Sequence, residues 1–154
     1  MIKQSAGILL YRRSYDLEVF LVHPGGPFFS NKDPGVWSVP KGEYTDEDPL
    51  TAAIREFKEE TGYDIEGNFI PLSSVKQKSG KIVTVWAVEG DVDQRLIVSN
   101  TFEITWPPRS QKIQSFPEVD RAEWFPIGVA RQKINVGQVP LLDQLENFLT
   151  TGEL

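Results

Sequence analysis

The stretch from Asp48 to Gly62 constrains the chain more than any other, because it carries the start, the stop and the packing face of one helix. Asp48 suits the N-cap, Pro49 the first helical position, and Gly62 the left-handed residue just past the end. Leu50, Ala53, Ile54 and Phe57 recur at helical spacing, so Pro49–Thr61 should form an amphipathic helix that needs a partner surface. The same geometry sets Glu56, Glu59 and Glu60 at i, i+3 and i+4, three carboxylates on one side. That grouping costs stability: the Glu56/Glu60 pair opposes the helix by about 0.2–0.5 kcal/mol. Glu59 and Glu60 in the last turn meet the negative end of the helix dipole, at roughly 0.3–1 kcal/mol each. Local rules broken together at one place mark a functional site, and a divalent cation, Mg²⁺ by its preference for hard oxygen donors, compensates three carboxylates. The competing reading is an ordinary solvated helix face, with Lys58 beside it.

Elsewhere, alternating and continuous apolar runs predict strands at about Ser5–Arg13, Leu17–His23, Phe69–Gln77, Lys81–Val88, Phe102–Trp106 and Ala122–Phe125, the first two as a hairpin. A second helix is expected over Val139–Leu149 and a weaker one over Ile127–Ile134. Pro40–Glu47 reads as a polar loop feeding the first helix, and His23–Phe29 as a turn. Trp37, Trp86 and Trp124 fall in strand-like runs as core or sheet-face residues. Strands and helices mix without a regular βαβ alternation, which predicts an α+β layered sandwich. A length of 154 residues suits one domain spanning 1–154.

Composition removes whole classes of chemistry. The chain has no cysteine, which excludes disulfides, zinc-thiolate and iron–sulfur sites and thiol nucleophiles. Its one histidine, His23, has no Gly-x-Ser-x-Gly turn to serve. A net charge of −6 argues against a broad nucleic-acid face, while a small phosphorylated ligand suits such a chain if a cation neutralises it. No apolar run approaches the ~20 residues of a membrane span, and no secretory leader is visible, so a cytoplasmic location without membrane partners is expected.

Gly42, Glu47, Arg55, Glu56, Phe57, Glu59, Glu60, Gly62 and Tyr63 together resemble the Nudix signature, Gly-x5-Glu-x7-Arg-Glu-U-x-Glu-Glu-x-Gly-U, where U is bulky and apolar. From Glu47 onward every fixed position is filled at its spacing. One departure stands out: four residues, not five, separate Gly42 from Glu47, a deletion assigned to Tyr44–Asp46. The resemblance extends to Trp37–Gly42, Ser5–Arg13 and Val85–Val88, and it implies the Nudix-type α/β/α sandwich with a mixed sheet. It further implies that Glu56, Glu59 and Glu60 hold Mg²⁺ or Mn²⁺, with Gly42 giving a backbone ligand, Glu47 approaching the metal and Arg55 orienting a glutamate.

The implied reaction is attack of water on one phosphorus of a diphosphate bridge, and it needs a base. Glu59 within the signature, Glu118 and Glu103 are the candidates, Glu118 being favoured outside the box because it precedes the Ala122–Phe125 strand much as a loop glutamate does in dinucleoside polyphosphate hydrolases of this superfamily. Trp106 and Arg109, in a Pro-rigidified loop, and Lys41 are candidate substrate contacts. The function expected is hydrolysis of a nucleoside diphosphate derivative, similar to the bacterial NTP pyrophosphohydrolases of the family. Diadenosine tetraphosphate hydrolysis and a non-catalytic, nucleotide-binding or regulatory domain are the alternatives. The partner is a small nucleotide, with a homodimer as the family's prior.

Overall fold

The computed structural model describes residues 2–153. Its centre is β1 (Gln4–Arg13), in which Ser5 to Tyr11 are buried without a break. A continuous apolar run of this kind belongs to a strand covered on both faces. β1 pairs antiparallel with β2 (Leu17–Pro24) through a tight turn, and parallel, from Gln4 to Tyr11, with β6 (Ile82–Glu89). β9 (Val119–Pro126) adds antiparallel to β2, and β3 (Lys41–Glu43) joins the start of β1. Two short strands, β4 (Ile70–Pro71) and β5 (Val75–Lys76), lie along β6, which completes a mixed sheet in the order β4-β6-β1-β2-β9. β7 (Thr101–Thr105) and β8 (Ile113–Pro117) form a separate hairpin.

Period-two geometry divides the core in two. Ala6, Ile8, Leu10, Phe20 and Val22 face α1 (Pro49–Thr61), where Ala52, Ala53 and Phe57 meet them. Leu9, Tyr11, Val19, Leu21, Val83 and Val85 face the opposite layer, built by α2 (Ile127–Lys133) and α3 (Val139–Thr151) through Ala130, Leu141, Leu142 and Leu145. The result is the α+β sandwich with helices on both faces of a mixed sheet that the sequence predicts. No helix among the described residues is long and apolar enough to cross a membrane.

α1 begins and ends as expected: the Asp48 side chain accepts from the Thr51 amide, and Gly62 takes φ 83° with its N–H on the Lys58 carbonyl. The single strand expected over Phe69–Gln77 is instead broken into β4 and β5. Pro71 has no N–H for a ladder, and Ser73 turns aside to bond Gln144 of α3. The polar loop expected over Pro40–Glu47 yields its first residues to the sheet as β3, and β8 emerges from a segment that lacks apolar periodicity. Trp37 and Trp124 are buried, consistent with core positions.

Candidate active site

α1 lies across β1 and β3, and Gly42 of β3 is where the two layers touch most closely. A Cβ built on Gly42 would overlap the carboxylate of Glu56, so only glycine leaves this side chain its place. Glu56 and Glu60 are each 9% exposed, which rules out a plain solvated helix face for this pair. Glu60 accepts the Lys41 amide at 3.3 Å and has little else to offset its burial. Its carboxyl is accordingly pushed up to about 8 by desolvation first, with Lys41 opposing and Glu56 and Glu118 adding to the rise. Glu56 is raised as well, by burial and then by Glu59.

Arg55 gathers the rest. Its Nε donates to Glu47 at 3.0 Å, and its Nη1 donates to Glu56 at 3.0 Å and to Glu59 at a very short separation. Three carboxylates around it hold its own proton more firmly than usual, Glu47 contributing most. The shortened loop therefore still delivers Glu47, to Arg55. Glu59 is half-buried and is held from outside the helix by Asn100, whose Nδ2 donates to it at 3.3 Å and whose backbone N–H meets the Glu59 carbonyl at 2.7 Å.

Glu118 joins this group, and Glu103 does not. Glu118 lines a cavity of about 120 Å³ with Lys41, Glu60, Ser38 and Pro24, and its carboxyl is raised by burial and by Glu59. Its backbone is fixed twice: its N–H donates to Asn100 O and its carbonyl accepts from the Gly25 N–H, both at 2.8 Å. Glu103 lies exposed on β7, paired across to Ser115. Trp106 and Arg109 sit at the far end of the β7–β8 hairpin, Trp106 packed edge-on to Phe28 at 5.3 Å between ring centroids. At about 3.3 Å per strand residue, Trp106 is roughly 20 Å along the chain from Asn100. Lys41 stands inside the cluster instead, its ammonium proton loosened by burial and by Lys81. Sequence reasoning missed Asn100 and Gly25, whose roles are contacts with residues distant in the chain and leave no local signal.

Among the described residues, no three acidic or histidine side chains already converge as ligands of one ion. The donor chemistry nevertheless fits a hard cation. Two buried carboxylates and a third beside them offer only oxygen, and a positive group, Arg55, already bridges Glu56 and Glu59. Buried carboxylates without full compensation are what a divalent ion satisfies.

Comparison with known proteins places the site in context. A model of the NUDIX domain matches residues 1–145. A sequence comparison with curated proteins finds no match. Among solved structures, a binary complex of the Ap4A hydrolase of C. elegans superposes with a TM-score of 0.66 at 23% identity, over 95% of this chain and 98% of that one. The NUDIX domain of NrtR from Shewanella oneidensis, complexed with ADP ribose, gives 0.67 at 16% identity, covering 97% and 89%. A mutT/nudix family protein from Listeria innocua gives 0.62 at 16%, covering 97% and 95%.

Proposed function

The chain belongs to the Nudix family, and from that premise we propose that it is a metal-dependent hydrolase of a diphosphate linkage in a nucleoside diphosphate derivative. The observation that carries this reading is the burial of Glu56 and Glu60 against Gly42, with Arg55 tying Glu47, Glu56 and Glu59 together. Glu56, Glu59 and Glu60, with the Gly42 carbonyl, would hold Mg²⁺ or Mn²⁺. Bound there, the ion neutralises charge on non-bridging phosphate oxygens and lowers the pKa of water.

The chain's own residues do the rest. Lys41 offers a cation to the phosphate oxygens from within the cluster. Glu118, its carboxyl made a stronger base than a free one by burial and by Glu59, is suited to take a proton from the attacking water. Water adds to one phosphorus, the bridging P–O bond breaks, and two phosphorylated products leave. Arg55 keeps Glu59 and Glu56 aligned through the cycle.

A dinucleoside polyphosphate is the second reading, and one feature favours it: a ligand that touches both the carboxylate cluster and the Trp106/Arg109 tip must be long. The test is a hydrolysis screen with Mg²⁺ over nucleoside triphosphates, dinucleoside polyphosphates, nucleotide sugars and oxidised nucleotides, run beside Glu59→Gln. Turnover should require Mg²⁺ and fall by orders of magnitude in the variant. Equal turnover in both would sink the assignment, and nucleotide binding without product release would favour a regulatory domain.

A further inference from the structure

His23 is the chain's one histidine, and its ring is fully buried where the hydrolase reading gives it no task. Nδ1 meets Asp120 Oδ1 at 2.8 Å, and Nε2 meets the Lys32 carbonyl at 2.7 Å. Trp37 closes the ring edge-on, 5.1 Å between centroids. Both polar partners are acceptors in their ordinary forms, so neither neutral tautomer serves both of them. The contact to Asp120 is complete only while one proton lies between Nδ1 and Oδ1, on whichever atom. Remove that proton and a lone pair faces a lone pair beside a buried ring.

The other charges nearby are few. Arg121 of β9 lies over the Trp37 ring at 5.3 Å, and Asp33 takes the Trp37 indole N–H and the Lys133 ammonium. The Lys32 side chain lies over Phe29, and the β2 neighbours Leu21 and Val22 are apolar and buried.

What the clamp holds is the backbone around Glu118. The β2–β9 register breaks between His23 and Pro24, which face Arg121 and Val119, so Asp120 is the extra residue on β9. An irregularity of this kind re-aims a side chain beside an active site. Asp120 is two residues past Glu118, and Gly25, two residues past His23, donates to the Glu118 carbonyl at 2.8 Å. A Cβ on Gly25 would overlap the Pro117 carbonyl, so the two segments are in direct contact.

We propose that His23 and Asp120 form a one-proton clamp that positions Glu118 toward the carboxylate cluster. This rests on the hydrolase reading with Glu118 as base, and it makes His23 and Asp120 positioning residues. Asp120→Ala opens the clamp. Asp120→Asn closes it without the shared proton, because the amide donates to Nδ1 while Nε2–H stays on Lys32 O.

With the substrate found by the screen, Asp120→Ala should lower kcat about tenfold to a hundredfold. KM and Mn²⁺ affinity, read by direct titration, should stay within about threefold, and Asp120→Asn should restore most of the loss. ¹⁵N NMR reads the ring without ambiguity, since the chain has one histidine. Bonded ring protons, with the Gly25 and Glu118 amides displaced in Asp120→Ala, support the clamp. An Asp120→Ala enzyme with unchanged kcat overturns it, as does a loss that falls equally on metal affinity. A wild type that turns over nothing while the NMR signature and the displacement are present overturns the hydrolase reading and leaves the clamp standing.

Discussion

Glu60 is the residue on which stability and chemistry pull in opposite directions. Folding strips it of water, and its carboxyl rises from 4.5 to about 8. A folded value above the unfolded one means that the native state binds the proton more tightly. The stability this contributes is complete below pH 4.5 and is lost as pH climbs to about 8. The urea midpoint of metal-free protein should therefore fall across that window, and Glu60→Gln should flatten the slope and leave the metal-free protein firmer at pH 8. Saturating Mg²⁺ should restore wild-type stability and not the variant's, because an ion that binds only the native state stabilises it by mass action. A slope indifferent to the substitution would refute this account of Glu60. Gly42 offers a second test: Gly42→Ala forces a methyl against Glu56, so we expect a loss of roughly 1–3 kcal/mol by overpacking together with collapse of turnover. Ser5 is the opposite case. Among the described residues its hydroxyl is the one buried side-chain polar atom without a partner, so Ser5→Ala should raise stability by about 1 kcal/mol in chemical denaturation.

α1 is the element that joins sequence to site. Its caps are local, and their loss should be felt locally: Asp48→Ala removes the side-chain bond to Thr51 N and should cost about 1 kcal/mol. Gly62→Ala should cost a similar amount, since a Cβ at φ 83° is strained and would press on Val98. Thermal midpoints of the two variants check both figures, and a shift beyond 10 °C in either would show that the cap does more than end a helix. The same helix shows why the sequence was legible here: its signals lie within fifteen residues and depend on backbone geometry alone. β8 behaved differently. Ile113–Pro117 is a strand because β7 offers it a ladder partner, and its own side chains hardly alternate. β3 belongs with it, since a lysine, a glycine and a glutamate form a strand only against the start of β1.

At the scale of the molecule, two apolar layers on one sheet set the distance between α1 and β3, and that distance is what buries Glu56. Leu142 lies in the far layer, and Leu142→Ala should cost about 2–5 kcal/mol without altering the arrangement of the carboxylates. Mg²⁺-dependent turnover per folded molecule should survive it, and loss of turnover in well-folded variant would show that the two layers are coupled. Gln138, fully buried at the start of α3, fixes the neighbouring loops through polar contacts, its amide bonded to Val39 N, Ser38 and Gln77. By itself the sequence determined the helix, its acidic side, the spacing that resembles the family and the layered class, because each depends on periods of two or 3.6 residues and on caps. It also named Glu118 as a candidate. Only the tertiary structure decided that Glu118 and not Glu103 lies among the carboxylates, that Glu47 goes to Arg55, and that Asn100, Gly25 and His23 brace the site. Apart from the Glu47–Arg55 pair, eight residues apart, those are contacts across long stretches of chain, and their geometry comes from strand order and burial, which no local pattern encodes.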